Sequence, residues 1–196
     1  YVPYSAGENA EYDADTRKIT WTLNDVPANT MDGQVSFQAV VNEKAEGQTI
    51  ENEAQITVGD NPQITTNKTE TEVKTGSLTI SKTVTVNTDQ GTTIDTEKEF
   101  TFTVVLTDKK GNQLDGEYSY SGTSDGTTEY QGTITSTGTI KLKHEGSVTI
   151  TGLPEGAEYT VTETPETGYT AENAELKGAI PADSAATAAF VNNYSA

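Results

Sequence analysis

Leu78-Thr79-Ile80-Ser81-Lys82-Thr83-Val84-Thr85-Val86 alternates apolar and hydroxyl-bearing side chains at period two, with a lysine standing at one apolar position. Successive side chains of a β-strand point to opposite faces, so Leu78, Ile80, Lys82, Val84 and Val86 share one face. The same alternation returns in Ile19-Thr20-Trp21-Thr22-Leu23, Val35-Ser36-Phe37-Gln38-Ala39 and Phe100-Thr101-Phe102-Thr103-Val104. These read as half-buried antiparallel strands, rich in β-branched and aromatic residues. Turn chemistry separates them at Asn24-Asp25, Met31-Asp32-Gly33, Lys110-Gly111-Asn112, Ser124-Asp125-Gly126 and Leu153-Pro154-Glu155-Gly156. Helical periodicity is nearly absent, and only Ala171 to Leu176 could hold a short turn. Short strands at this spacing predict an all-β chain of sandwich type, without βαβ units.

The chain has 196 residues, room for two small domains. After the strand Ala54 to Val58 come Gly59-Asp60-Asn61-Pro62 and a Thr-, Asn- and Glu-rich stretch through Thr75-Gly76. This places a first domain at 1–73 and a second at 77–196. With 12 Lys+Arg against 30 Asp+Glu the formal charge is -18, and the cations are scattered. Such a surface has no footprint for phosphate backbones or anionic lipid, which excludes nucleic acid and membrane surfaces as expected partners. The absence of cysteine rules out disulfides, thiolate metal sites and cysteine nucleophiles. No apolar run is long enough to cross a bilayer, and the opening at Tyr1 shows no leader pattern, so the sequence reads as a piece of a longer protein.

Three polar side chains fall on apolar faces. Lys82 is in phase with Ile80 and Val84. In Tyr159-Thr160-Val161-Thr162-Glu163, Glu163 is in phase with Tyr159 and Val161. In the final strand, Asn192 shares a face with Ala188, Phe190 and Tyr194. Burying a lone charge costs several kcal/mol or more, so the three must satisfy one another or react. Desolvation favours a neutral lysine amine, which is a nucleophile, and a neutral carboxylic acid, which can donate to a carbonyl oxygen. Lys82 could then attack the Asn192 side-chain amide, with Glu163 polarising its carbonyl and shuttling protons, to leave an isopeptide bond and ammonia. The residues alone leave a second possibility of similar weight, a buried Lys82–Glu163 ion pair with Asn192 as a hydrogen-bond neighbour.

Ile80-Ser81-Lys82-Thr83-Val84, the Tyr159 to Glu163 box preceded by Gly152-Leu153-Pro154, and the closing Phe190-Val191-Asn192-Asn193-Tyr194 together resemble streptococcal-type pilin isopeptide-linkage domains, relatives of collagen-adhesin B-type repeats. The resemblance covers 77–196. It implies an immunoglobulin-like β-sandwich in which Lys82 and Asn192 form an autocatalytic intramolecular bond assisted by Glu163. Asn193, beside Asn192, is the other amide in reach of that motif. Residues 1–73, from Tyr12-Asp13-Ala14-Asp15-Thr16-Arg17-Lys18-Ile19-Thr20-Trp21 to Ile50-Glu51-Asn52-Glu53-Ala54, resemble the second half of an isopeptide-forming fimbrial repeat domain. This implies tandem sandwiches, the first incomplete within these residues. Asn52, in phase with Ile50, Ala54 and Ile56, is a possible crosslink asparagine of that first domain. Its lysine would lie upstream of Tyr1, because Lys18 is out of phase with Ile19 and Trp21. Within these residues Asn52 is expected to be a buried, hydrogen-bonded amide.

The remaining signals are weak. Asn87-Thr88-Asp89 and Thr107-Asp108 lack calcium-loop spacing, so no metal site and no cofactor is expected. His144, the single histidine, is expected to be a solvent-exposed turn side chain. Trp21 and the tyrosines are expected in cores and not on a sugar platform. The expected function is a structural stalk or pilus-backbone segment of a Gram-positive surface protein, extracellular and cell wall-anchored, with neighbouring domains or subunits of the same fibre as partners. An adhesin or carbohydrate-binding module recognising host matrix or glycan is the alternative. No constellation for an enzyme acting on external substrates is visible, and the only assignable chemistry acts once on the chain itself.

Overall fold

A computed structural model describes every residue except Asp25, 28–32, 42–44, 46, 87–92 and 196. The Asn24-Asp25 and Met31-Asp32-Gly33 turns and the Asn87-Thr88-Asp89 loop expected from the sequence lie partly or wholly outside the described residues. The chain divides into two compact units, Tyr1–Asn42 and Glu43–Ala196.

In the first unit β1 (Ala10–Asp13) pairs antiparallel with β2 (Lys18–Trp21), setting Tyr12 opposite Ile19. Lys18 is exposed while Ile19 and Trp21 are half-buried, as the alternation requires. The Trp21 indole N–H donates to the Ala6 carbonyl at 3.0 Å, and its ring lies 6.2 Å from Phe37. Val35 to Ala39, expected as a strand, carries no ladder, and its backbone tie is the Val2 N–H donating to the Gln38 carbonyl. Alternation marks the faces of an extended segment, but a strand forms only where a partner supplies hydrogen bonds.

The second unit begins with two small antiparallel ladders, β3 (Thr49–Asn52) with β6 (Thr69–Glu72) and β4 (Gln55–Ile56) with β5 (Ile64–Thr65). All their residues are exposed. The Ala54 to Val58 strand is therefore shorter than expected, and Asn52 is exposed where a buried amide was expected. Among the described residues, none covers the face that alternation assigns to it.

From residue 75 onward the chain builds a sandwich from β7 (Thr75–Val86), β8 (Phe100–Thr107), β9 (Tyr118–Thr123), β10 (Glu129–Ile134), β11 (Thr137–Leu142), β12 (Ser147–Pro154), β13 (Glu158–Glu163), β14 (Tyr169–Ala171), β15 (Glu175–Ala179) and β16 (Ala185–Tyr194). One sheet has the order β10-β9-β12-β7-β16-β14 and the other β11-β8-β13-β15. The stretch from Ala171 to Leu176 is where the chain leaves the first sheet and joins the second, so the expected short turn is a corner between two strands. Leu78, Ile80, Phe100, Phe102, Val104, Leu106, Ile140, Ile150, Val161 and Phe190 fill the space between the sheets, each sealed from solvent. Burial of one such side chain stabilises by about 1.5–3 kcal/mol. Phe102 meets Phe190 across the sheets at 4.9 Å.

The first and last strands of the sandwich, β7 and β16, are parallel neighbours within one sheet. Lys82 stands opposite Phe190, and Val84 opposite Asn192. The chain is pinned where it enters β7: Lys74 bridges to Asp183 at 2.7 Å, and a Cβ on Gly76 would come within 1.9 Å of the Pro181 carbonyl oxygen.

Candidate functional site

Lys82, Glu163 and Asn192 are the buried charged or amide side chains of the described core, at 1%, 3% and 2% exposure. Parity puts each there. Lys82 follows Leu78 and Ile80 on the inner face of β7, Asn192 follows Ala188 and Phe190 on that of β16, and Glu163 ends the inner row of β13 after Tyr159 and Val161. Lys82 and Asn192 therefore come from adjoining strands of one sheet, two residues out of register, and Glu163 reaches them from the opposite sheet.

One carboxylate oxygen serves both partners. Lys82 Nζ donates to Glu163 Oε1 at 2.8 Å, and Asn192 Nδ2 donates to the same oxygen at 2.6 Å. Glu163 Oε2 and Asn192 Oδ1 are buried without a hydrogen-bond partner. The sequence expectation that Glu163 polarises the Asn192 carbonyl is not what this geometry presents, because the contact is to the amide nitrogen. Each orphaned acceptor costs about 1–3 kcal/mol, which is a poor outcome for a purely structural ion pair.

Burial pushes the Lys82 ammonium below the ordinary lysine value of 10.5, and the hydrogen bond and charge of Glu163 only partly oppose this. The ammonium also lies 4.3 Å from the centroid of the Phe100 ring. This role of Phe100 is not legible in the sequence, since parity gives its face but not what lies across from it.

Depression of the Lys82 value has a measurable consequence in a chain that cannot crosslink. Between the folded value and 10.5 the unfolded state binds more protons, so stability rises with pH across that window. Asn192→Ala is therefore expected to gain stability as pH rises toward 10.5, relative to the Asn192→Ala, Lys82→Met double variant in urea unfolding. A difference that stays flat or falls would contradict it.

His144 differs from its expected exposed state. Its side chain is 17% exposed and its Nδ1 accepts the Val84 backbone N–H at 3.0 Å. β12 stops pairing with β7 at Ser81, so Val84 has lost its ladder partner and the imidazole replaces it. The described residues contain no group of acidic, histidine or cysteine side chains suited to a metal ion.

A family model described as a domain of unknown function, DUF7601, matches residues 76–194, the sandwich from β7 to β16. The chain belongs to that family. Among solved structures, a cysteine-to-alanine variant of the pilus-presented adhesin Spy0125 (Cpa) is 32% identical over 62% of this chain and 28% of its own, at a TM-score of 0.48. The major pilin protein T3.2 from Streptococcus pyogenes is 22% identical over 70% of this chain and 51% of its own, at 0.50. A further Streptococcus pyogenes major pilin is 17% identical over 94% of this chain and 59% of its own, at 0.49. This chain thus spans between about a quarter and three fifths of the length of those proteins. The match to the T3.2 pilin shows that the DUF7601 sandwich shares the pilin-type β-sandwich fold. No curated protein sequence matches the chain significantly.

Proposed function

We propose that the DUF7601 sandwich is a self-crosslinking structural domain of an extracellular, pilus-type surface fibre, in which Lys82 and Asn192 join through an isopeptide bond with Glu163 as the proton carrier. The observation that carries this reading is the single oxygen, Glu163 Oε1, in contact with both the nucleophilic nitrogen and the leaving nitrogen. The pilin-type fold supports the setting, and neighbouring domains or subunits of the same fibre are the partners it implies.

The chemistry balances within the three side chains. The Lys82 ammonium gives a proton to Glu163, leaving a neutral amine beside a neutral acid. The amine lone pair attacks Cγ of Asn192 and the carbonyl electrons move to Oδ1. Glu163 hands its proton to Nδ2 and takes one from the former amine. The C–N bond to Nδ2 breaks, the carbonyl re-forms and ammonia leaves. Glu163 ends protonated, so the buried site loses both of its charges. The reaction happens once per chain and is not turnover.

The bond would link the two strands nearest the ends of the sandwich, so that tension applied there cannot peel β7 from β16. By the same reading residues 1–73 are part of a preceding domain of the fibre, with Asn52 as its crosslink asparagine once that domain is complete. Tandem mass spectrometry of a tryptic digest tests the crosslink. An acylated Lys82 resists trypsin, so residues 75–98 and 178–196 are expected as one branched peptide. Recovery of 75–82 as a separate linear peptide would reject it.

A further inference from the structure

The Lys82–Glu163–Asn192 cluster lies close to one end of the sandwich. Glu163 is the last residue of β13, Phe100 is the first of β8, and Asn192 is followed in β16 only by Asn193 and Tyr194. A site so placed would be wet unless something closed that end. Tyr194, two residues beyond Asn192 on the same face, pairs across the ladder with Tyr169 of β14, and the two rings pack at 4.8 Å. The Tyr169 ring in turn meets Phe100 edge-on at 5.0 Å, and Phe100 lies under the Lys82 nitrogen at 4.3 Å. The rings thus form a continuous wall from the reacting nitrogen to the end of the domain.

The wall is held from outside. Lys98 and Glu166 form an ion pair at 2.6 Å with both side chains about 30% exposed, and the Lys98 nitrogen lies 6.0 Å from the Tyr169 ring centroid. Gly168, at φ 83°, brings the backbone against Tyr194. A Cβ there would sit 3.3 Å from that ring, and the Gly168 carbonyl accepts the Ser195 N–H at 3.1 Å. Neither the crosslink chemistry nor the fold assigns a task to this arrangement.

We propose that Tyr169 and Tyr194 form an aromatic plug, latched by Lys98–Glu166, that excludes water from the cluster and thereby sets the rate at which Lys82 reacts with Asn192. This rests on the crosslink reading. The tyrosines are positioning residues: Tyr169 touches Phe100 and Tyr194 packs on Tyr169, and they act by keeping the cluster dry. Water admitted at this end favours the charged Lys82–Glu163 ammonium–carboxylate pair over the neutral amine and acid that react, and so lowers the fraction of clusters ready to crosslink. The charged groups around the plug are Glu163 on β13, Glu166 in the following loop, and Asp95 and Lys98 ahead of β8.

The test follows ammonia loss by intact mass during cell-free synthesis of the chain. Tyr169→Ala is expected to crosslink roughly tenfold more slowly than the wild type, the effect of a one-unit shift in the balance between charged and neutral pair. Tyr169→Phe, which keeps the ring, should match the wild type. Ile150→Ala, a core change on β12 away from the plug, controls for lost stability and should also match the wild type. Equal rates for Tyr169→Ala and wild type, slowing of Tyr169→Ala and Ile150→Ala alike, or slowing of Tyr169→Phe as large as that of Tyr169→Ala, would overturn the plug while leaving the crosslink intact. A wild-type chain that loses no ammonia at all would overturn the crosslink, and the plug with it.

Discussion

Glu163→Ala is expected to leave the chain at its full sequence mass and to lower its melting temperature by on the order of 15–20 °C. An isopeptide bond from Lys82 to Asn192 closes a loop of about 110 residues. By the chain-entropy estimate used for disulfides, a loop of that length restrains the unfolded state by about 4–5 kcal/mol. For a sandwich of this size each kcal/mol corresponds to roughly 4 °C. Melting alone does not separate this from a simple ion pair, because removing one partner of a buried pair also costs about 3–5 kcal/mol. Mass does separate them. Under the ion-pair reading wild type and variant both keep every atom of the Asn192 amide, whereas under the crosslink reading only the variant does. Calorimetry and intact mass measured on the same two samples give both answers.

Phe102→Ala should be the most damaging single truncation between the sheets, costing about 3–5 kcal/mol. Phe102 is sealed from solvent, contacts Phe190 across the sheets at 4.9 Å and stands opposite Glu163 in the β8–β13 ladder. Deleting its ring leaves a void between the sheets, where neighbours from two paired sheets have little freedom to collapse. Urea unfolding in the Asn192→Ala background, where unfolding is free of the crosslink, reads the cost directly. A loss below about 1 kcal/mol would mean that the sheets do not close on the Phe102–Phe190 contact.

Much of this site was legible in the sequence because a β-strand has a period of two. Once Leu78 and Ile80 face inward, Lys82 must follow, and the same argument carries Glu163 from Tyr159 and Val161, and Asn192 from Ala188 and Phe190. The structure buries all three. Parity says nothing about what lies across from a face. It could not show that Glu163 would meet the amide nitrogen of Asn192 and not its oxygen, that Phe100 would lie under Lys82, or that Tyr169 would pack on Tyr194. His144 escaped for a related reason. Its place in a turn suggested solvent, but β7 runs past the end of its ladder with β12 and the Val84 N–H needed an acceptor. Val35 to Ala39, in the first unit, alternates as well as any strand and forms none, and Asn52, in the second, alternates onto a face that no described residue covers. Alternation is a necessary property of such segments, and partners decide the rest.

The account turns on whether Lys82 and Asn192 are one covalent unit, and the intact mass of the wild-type chain measures that with no perturbation of the fold. We expect a mass lower than that of the sequence by one ammonia, unchanged by Asn193→Ala and restored by Asn192→Ala. A wild-type chain at the full mass of its sequence would contradict the account and leave Lys82, Glu163 and Asn192 as a buried, hydrogen-bonded ion pair.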